Sequence, residues 1–318
     1  LKEPRIWRAT TSSPLLSRAT CASNSDLQVT SSFRCGVRRQ RRAPFLLALT
    51  ALLGACTSPA TLFEDGRSRA LRLAGNAGFD TVRVPAGAFT LYSAFKGGRG
   101  GSDRLVVYIE GDGQAWTNRF TPSPDPTPWN PTGLQLAIRD ERPLVVYLAR
   151  PCQYAARQDP ALCHPRYWAS RRFAPEVIEA TSAAVEHYRT LFGASEVELI
   201  GYSGGGAIAA LVAATRNDVV ALTTVVAPLD HAVWTSHHNI SAMPNSRNPV
   251  DVANALADTP QIHLVGGDDD IVPALVARAY LSRLPSSSPA RLVVVDGFDH
   301  TCCWQRDWKQ LRTRYLVP

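Results

Sequence analysis

Short apolar runs alternate with helical patterns along most of the chain, and this alternation limits the fold more than any other feature. The runs consist mainly of Val, Ile, Leu and Tyr, as expected of strands that are buried on both faces. In chain order they are RLVVYI, PLVVYL, VELIGY, VVALTTVV, QIHLVG and RLVVV. Such alternation predicts an α/β fold, with a mostly parallel central sheet and helices on both faces.

The flanking segments add detail to this prediction. APEVIEATSAAVEHYRTLFG has helical spacing, with Pro175 near its start and Gly193 past its end. FDTVRVPAGAFTLYSAFKGG predicts two short strands that form a hairpin about Pro85–Gly87. WQRDWKQLRTRYL predicts a closing helix, and the proline-rich TPSPDPTPWNPTG predicts a surface loop.

The basic residues are concentrated at the start of the chain. The net charge is +7, from 34 Lys and Arg against 27 Asp and Glu. Residues 1–55 hold nine of the basic and two of the acidic side chains, so they account for the whole excess. Because the remainder is balanced, nucleic acid is not indicated as a partner.

The segment VRRQRRAPFLLALTALLGAC has four arginines, then a short apolar core, then small residues. This is the pattern of a secretory signal peptide, and the apolar run is too short to span a bilayer comfortably. Its end, Leu53-Gly54-Ala55-Cys56, resembles the lipobox of bacterial lipoproteins.

The lipobox resemblance implies that the signal is cut before Cys56 and that this cysteine carries a lipid anchor. Thr57 follows the cysteine, which by resemblance to lipoprotein sorting favours the outer membrane of the bacterial cell envelope, on its periplasmic side. The membrane is then a partner through the N-terminal anchor. An ordinary signal peptide with an incidental cysteine is the alternative.

These features divide the chain into segments. We expect 1–36 to be a non-native upstream extension, because it precedes a complete signal and the only methionine is Met243. Residues 37–55 are the predicted signal peptide, and 56–77 the anchor and linker. The folded domain is expected over 78–318.

Four cysteines follow Cys56, and in an exported protein we expect them to be oxidised. The favoured bridge is Cys152–Cys163, which closes a short loop and contributes about 3 kcal/mol in the chain-entropy model. Cys302 and Cys303 are adjacent, and either pair with each other or stay partly free. The absence of a CxxC spacing argues against a zinc site, so no metal is predicted.

One hydroxyl stands among glycines in LIGYSGGGAIAALVAAT, between an apolar run and a helix-forming run. The five residues Gly201-Tyr202-Ser203-Gly204-Gly205 match G-x-S-x-G. In that motif a serine is held in strained backbone geometry at a strand-to-helix turn, and the glycines allow close packing. The context predicts Ser203 as a nucleophile.

The same letters permit a second interpretation. Gly204, Gly206 and Ala209 match the dinucleotide fingerprint G-x-G-x-x-A. That fingerprint needs an acid at the end of the next strand to hold a ribose. Asp218 lies before that strand and Asp230 lies late after it, so both fit poorly.

A serine nucleophile needs a base to accept its proton and an acid to orient the base. In parallel sheets such groups collect beyond the carboxyl ends of the strands. His300 follows the last apolar run, and Asp268, Asp269 and Asp270 follow the run before it. The residues therefore predict a Ser–His–Asp set and leave three candidates for the acid.

The segment GGDDDIVP resembles the acid motif G-x-x-D-x-ϕ-V-P of the α/β-hydrolase superfamily, in which the order serine, acid, histidine is the same. Aligning the final Val-Pro selects Asp269, with Asp270 second and Asp268 third. The resemblance covers most of 78–318 and implies an α/β-hydrolase fold with a possible short cap at 234–258. RPCQYAA, CHPRYWASRRFAPEV, LDHAVWTSHH and HTCCW also resemble a subgroup of exported bacterial α/β hydrolases.

Acyl transfer also needs backbone donors for an oxyanion. The amide of Gly204, directly after the serine, is one candidate. By resemblance the second comes from the loop EGDG after RLVVYI, where we assign Asp112, with Gly113 as the alternative. The superfamily usually has His-Gly here, and a carboxylate would repel an oxyanion, so Asp112 must point away or be paired.

The resemblance implies a serine hydrolase that cleaves a small-molecule carboxylic ester and needs no cofactor. The candidates for the substrate pocket are Tyr202, Asp230, His231 and Trp234, for which packing or capping is the alternative. Peptidase or acyltransferase activity would use the same residues. A non-catalytic envelope binding protein of the same fold is the alternative from another class.

Overall fold

The computed structural model describes residues 64–155 and 163–316. The predictions for 1–36, for the signal peptide at 37–55 and for lipidation of Cys56 lie outside these residues and stay predictions. In the described segments, no helix is long and apolar enough to cross a membrane.

The described residues contain ten strands, of which eight form one sheet and two form a small separate ribbon. They are β1 (Asp80–Ala86), β2 (Phe89–Lys96), β3 (Arg104–Ile109), β4 (Trp116–Asn118), β5 (Thr121–Pro122), β6 (Val145–Leu148), β7 (Glu196–Tyr202), β8 (Val219–Val225), β9 (Gln261–Gly266) and β10 (Ala290–Val295). The order in the main sheet is β1-β2-β6-β3-β7-β8-β9-β10, and β4 pairs with β5.

Strand direction divides the main sheet. β1 and β2 form the predicted antiparallel hairpin, and β2 pairs antiparallel with β6. From β6 to β10 every neighbouring pair is parallel. The predicted α/β fold with a mostly parallel sheet is confirmed.

Helices cover both faces of the sheet. They are α1 (Gly66–Asn76), α2 (Thr132–Ala137), α3 (Pro175–Phe192), α4 (Gly204–Ala213), α5 (His231–His237), α6 (Ala274–Leu281) and α7 (Trp304–Tyr315), with 3-10 turns at Pro165–Trp168 and Pro249–Leu256. The predicted helix after Pro175 is α3, and Gly193 ends it with a left-handed φ of 72°. The predicted closing helix is α7.

The side chains of β3 show how one strand serves two cores. Leu105, Val107 and Ile109 belong to the core under α3, α4 and α6. Val106 and Tyr108 point to the opposite face, into the core under α1, α2 and α7. Because successive side chains of a strand alternate in direction, an unbroken apolar run fills both cores.

The folded part of the described chain begins before the boundary expected at residue 78. α1 lies inside the segment predicted as anchor and linker, 56–77, and contacts β1 and α2. Its first turn is capped by Asp65, whose side chain accepts a hydrogen bond of 2.7 Å from the amide of Ser68. Ala70 and Ala74 are fully buried, and so small an apolar stripe gives the sequence little helical signal.

The proline-rich segment 121–133 is not simply a surface loop. Pro126, Pro128 and Pro131 are buried, and the indole of Trp168 donates a hydrogen bond of 3.0 Å to the carbonyl of Ser123. The fixed φ of proline suits a loop that must hold one shape without a regular ladder of hydrogen bonds. The loop forms one wall above the carboxyl ends of the strands.

The possible cap at 234–258 has two parts, of which one packs in the core and one borders a cavity. The 3-10 turn at Pro249–Leu256 contacts α4 and α6 and buries Val250, Ala253 and Leu256 in the core. Only the part before this turn borders a cavity. The 3-10 turn thus belongs to the core, and the residues before it form part of the edge of a cavity.

Two disulfides are present in the described part of the chain. Cys152 is bonded to Cys163, the pairing expected from the sequence. Cys302 is bonded to Cys303, one of the two possibilities that the sequence left open.

A buried histidine in β9 makes the stability of the core dependent on pH. His263 is fully buried, with Nδ1 2.8 Å from Thr224 Oγ1, and its Nε2 has no hydrogen-bond partner among the described residues. Burial lowers the pKa of His263 from 6.5 to about 3, because the charged ring would lose its hydration.

We predict that this residue makes the fold sensitive to mild acid. Between pH 6.5 and about 3 the unfolded chain binds a proton that folded His263 does not, so stability falls as the pH falls through this window. The contribution approaches about 1.4 kcal/mol of unfolding free energy per pH unit. Urea unfolding between pH 7 and pH 5 should therefore give a shallower pH dependence for His263→Gln. His187→Gln, at an exposed site on α3, is the control, and equal slopes in all three proteins would contradict the prediction.

Candidate active site

Ser203 lies at the junction of β7 and α4 and has an unusual backbone conformation. Its φ is 50° and its ψ is −126°, which few residues other than glycine adopt. The amide of Ser203 donates to the carbonyl of Val225 at 2.7 Å, and the amide of Gly206 donates to the carbonyl of Ser203 at 2.8 Å. These bonds hold the hydroxyl at the carboxyl end of the sheet, as in a nucleophile elbow.

Glycines permit this sharp turn because backbone fills the space that side chains would need. A Cβ on Gly201 would strike the backbone of Gly205 and Gly206. A Cβ on Gly205 would strike the carbonyl oxygens of Ile109 and Glu110, at the end of β3. The elbow is therefore pressed directly against the neighbouring strand.

The three residues predicted as a Ser–His–Asp set are within hydrogen-bond distance of one another. Ser203 Oγ lies 3.0 Å from His300 Nε2, and His300 Nδ1 lies 3.0 Å from Asp269 Oδ2. A hydroxyl, an imidazole and a carboxylate in this order can relay a proton away from the serine. They come from the ends of β7, β10 and β9.

Of the three consecutive aspartates, only Asp269 reaches the histidine. Its side chain is buried, and its other oxygen, Oδ1, accepts from the amides of Ile271 at 2.9 Å and Val272 at 2.8 Å. Asp268 and Asp270 are exposed. The two amides fix the carboxylate so that Oδ2 faces the imidazole.

The loop that carries His300 is held from both sides. The hydroxyl of Tyr202, next to the serine, donates to the carbonyl of His300 at 2.9 Å. Asp299 accepts from the amide of Thr301 at 2.7 Å, and its carbonyl accepts from the indole of Trp304 at 2.9 Å. The imidazole is thus positioned by its backbone as well as by Asp269.

Two backbone amides beside the serine are candidates for binding an oxyanion. Within the described chain, the amides of Gly204 and Asp112 have no hydrogen-bond acceptor. Gly111 brings the second loop close, because a Cβ there would lie 3.2 Å from the Cβ of Ser203. Gly113, the alternative donor, has a left-handed φ of 64° and also lines the cavity.

Glu110 anchors this loop from below. Its carboxylate accepts from the amides of Gly111 and Gly133, both at 3.0 Å, and from the hydroxyl of Tyr147, also at 3.0 Å. Gly133 lies in the first turn of α2, where amides favour a carboxylate. Burial raises the pKa of Glu110, and these donors act against that rise.

The carboxylate of Asp112 is paired with two arginines. Arg150 Nη1 lies 2.8 Å from Asp112 Oδ1, and Arg172 Nη1 lies 2.5 Å from Oδ2. Burial raises the pKa of Asp112, but the two guanidinium groups outweigh it and hold the pKa below its usual range. The carboxylate is therefore paired, one of the two conditions that the sequence set for this loop, and the arginines offset its charge beside the candidate donor amides.

A cavity of about 530 Å³ opens above Ser203. Two of the four predicted pocket residues, Tyr202 and Trp234, line it. Trp116 and Trp129 also line it, with 43% and 51% of their surfaces exposed. Three tryptophans therefore contribute to its wall.

A second cavity of about 1170 Å³, here called the outer groove, adjoins the first. Trp116, Arg172, Trp234 and Ile271 line both. Phe120, which is 83% exposed, lies on its wall. Half of the large apolar side chains that are exposed in the described chain line these two cavities, which is typical of a binding surface.

The other two predicted pocket residues, Asp230 and His231, do not line either cavity. Asp230 Oδ1 caps α5 through the amides of Ala232 and Val233 and also accepts from Asn248. The carboxylate serves the helix end, so it does not fit the ribose acceptor of the dinucleotide interpretation either. His231 is buried, and burial lowers its pKa. Each residue satisfies neighbouring backbone instead of facing a ligand.

Arg150 and Arg172 were not found by sequence reasoning. Arg150 directly follows β6, at the same sheet edge as the other site residues, and that position was the available signal. Arg172 precedes α3 in an irregular segment that carries no such signal. Among the described residues, no group of His, Cys, Asp and Glu could hold a metal ion.

Solved structures with the same fold include two esterases and a peptidase. Pyrococcus furiosus esterase Pf2001 has a TM-score of 0.53 at 12% identity, over 76% of this chain and 91% of that chain. Est1E from Butyrivibrio proteoclasticus has a TM-score of 0.50 at 12% identity, over 74% and 97%. Pyrococcus horikoshii acylaminoacyl peptidase has a TM-score of 0.51 at 12% identity, over 70% of this chain but 38% of that chain.

These likenesses show that the chain has the fold of α/β-hydrolase structures and that esterases are among its structural neighbours. The sequence matches no family model and no curated protein. The predicted exported, lipoprotein-type subgroup therefore stays a prediction.

We predict that the elbow tolerates no side chain at position 205. Gly205→Ala places a Cβ on backbone carbonyls of β3 and should lower the free energy of unfolding by at least about 2 kcal/mol, since the backbone must shift. Gly75→Ala is the matched control, also in a helix, with no described atom within 4 Å of the new Cβ. It should raise stability by about 0.5 kcal/mol. Chemical unfolding would measure both, and equal effects would refute the packing argument.

Proposed function

We propose that this protein is a serine hydrolase that cleaves carboxylic esters through an acyl-enzyme. The observation that carries the proposal is the continuous hydrogen-bonded series from Ser203 Oγ through His300 to the buried carboxylate of Asp269. The strained elbow and the two unbonded amides supply the other requirements of acyl transfer. A fold that served only to bind a ligand would need none of these together.

In the proposed reaction Ser203 Oγ attacks the ester carbonyl carbon while His300 Nε2 accepts the hydroxyl proton. The carbonyl oxygen becomes an oxyanion that accepts hydrogen bonds from the amides of Gly204 and Asp112. The carbon–oxygen bond to the alcohol then breaks, and His300 returns its proton to the leaving oxygen. Asp269 orients the imidazole and stabilises its charged form.

Water completes the cycle. His300 accepts a proton from water as the water oxygen attacks the acyl carbon, and the same two amides hold the second oxyanion. The bond to Ser203 breaks, the acid leaves, and the proton returns to the serine oxygen. The products are one carboxylic acid and one alcohol, and no cofactor takes part.

Ester cleavage is preferred over peptide cleavage on two grounds. The esterases are matched over nearly their whole length, whereas the peptidase is matched over 38% of its chain. An ester also has the better leaving group, so it needs no further recognition of a peptide backbone. Turnover of an amide with the same acyl group would instead favour a peptidase. Transfer of the acyl group to an added alcohol would favour an acyltransferase.

We predict that activity depends on Ser203. The full chain should hydrolyse 4-nitrophenyl acetate, butyrate or octanoate, and Ser203→Ala should lower kcat/KM at least about a thousandfold, as loss of a triad member does. A fluorophosphonate probe should label the wild type at Ser203, which mass spectrometry of the modified peptide would detect. Equal rates for the two proteins, or a well-folded wild type that is never acylated, would exclude the proposal and favour a binding protein.

Neighbouring aspartates supply the control in the same assay. Asp269→Asn removes the acceptor of the imidazole proton and should also lower kcat by about a thousandfold or more. Asp270→Asn removes the same charge one residue away, from an exposed position, and should change kcat by no more than a few fold. Similar losses in both variants would point to net charge rather than orientation.

A further inference from the structure

Arg172 lies where the cavity above Ser203 meets the outer groove, and it lines both. Its side chain is only 9% exposed although it borders open space. A buried guanidinium is costly unless its donors are satisfied. The hydrogen-bond acceptors of its three guanidinium nitrogens therefore indicate whether Arg172 is purely structural or can also bind a ligand.

Two of its three nitrogens are occupied. Nε donates to the carbonyl of Ala169 at 2.8 Å, and Nη1 donates to Asp112 Oδ2 at 2.5 Å. Within the described chain no acceptor is bonded to Nη2. The ring of Trp234 lies 5.8 Å from Cζ and limits the movement of the group. Arg172 is thus held rigidly, with one nitrogen left for a ligand.

The charges on the lining of the outer groove favour an anion. Asp112 is shared by Arg150 and Arg172, so one carboxylate faces two guanidinium groups. Glu110, the other acidic side chain on the described lining of the cavity above Ser203, accepts from backbone amides and Tyr147. Among the described residues that line the outer groove, the charged ones are Arg119 and Arg172, so an anion bound there meets positive charge and binds more strongly beside a partly buried guanidinium than in water.

We propose that Arg172 Nη2 forms a subsite for a carboxylate carried by the substrate, so that the preferred substrate is an ester with an anionic end and an apolar body. This inference rests on the proposed function and specifies its substrate class. Nη2 can donate to one oxygen of a carboxylate, and such charge-assisted hydrogen bonds are short and strong. The apolar part of the molecule would lie along Trp116, Trp234 and Ile271, which line both cavities.

The test compares esters that differ only in charge. On the acyl side the pair is 4-nitrophenyl hydrogen adipate and 4-nitrophenyl hexanoate, which share a six-carbon chain. On the alcohol side the pair is 4-acetoxybenzoate and 4-acetoxybenzamide. For the full-length wild type, kcat/KM for the anionic member should exceed that for the neutral member by about tenfold in one of the pairs, which also tells on which side the carboxylate lies.

Variants then test whether the preference for the anionic ester depends on Arg172. Arg172→Gln should lower the anionic-to-neutral ratio about tenfold, whereas Arg172→Lys keeps the charge and should retain part of the ratio. Arg171→Gln is the matched control, because Arg171 pairs with Glu176 at 2.7 Å and lines neither cavity. A ratio compared within each variant removes any effect common to both esters, such as a shift of the Asp112 loop, and Arg172→Lys shows how much of the ratio depends on charge alone.

Two failures are distinguishable. If wild type and Ser203→Ala hydrolyse all four esters equally, the proposed function fails. If hydrolysis depends on Ser203 but neither pair shows a preference for the anion, or if Arg172→Gln keeps the wild-type ratio, the carboxylate subsite is wrong and the hydrolase stands. Should Arg172→Gln fail to fold, the ratio in Arg172→Lys decides, and a ratio equal to or above that of wild type overturns the assignment.

Discussion

The carboxylate of Asp112 joins three segments that are far apart in the sequence. It receives Arg150 from just beyond β6 and Arg172 from the segment before α3, while Gly111, the residue before it, borders Ser203. Taking three charges out of water costs free energy, which only close mutual pairing offsets. Loss of Asp112 would leave two buried guanidinium groups without their shared carboxylate. The loop and this part of the cavity wall both depend on this ionic contact.

The glycines of the elbow and the ionic contact of Asp112 together determine how closely the loop after β3 approaches α4. Gly205 lets α4 approach β3 until backbone touches backbone, and this fixes the floor of the site. The same approach brings Asp112 so near to Gly204 that a Cβ there would overlap the Asp112 carboxylate. The two arginines that pair with this carboxylate offset its charge beside the amide of Gly204.

Sequence reasoning located what strand ends and local spacing determine. Ser203 and His300 follow apolar runs, and the parallel sheet brings such positions to one edge. Asp269 was selected by resemblance, and its burial beside His300 depends on contacts across strands. The arginine pair was missed because an arginine is normally solvated, and nothing local indicates a partner 38 or 60 residues away. Asp230 was assigned to the pocket because a helix cap and a pocket carboxylate look the same in sequence.

The hydrogen bond from Tyr202 to the carbonyl of His300 gives a second role to a position that the G-x-S-x-G motif leaves unspecified. One phenol connects the strand that ends at Ser203 to the loop that carries His300. Ser203 and His300 are therefore held near each other by a contact that does not depend on the hydrogen bond between their side chains. In the reaction proposed above the imidazole changes charge, while the hydrogen bond from Tyr202 keeps the loop and the elbow at a set distance. That reaction needs His300 as base and then as acid at one position, which this bond favours.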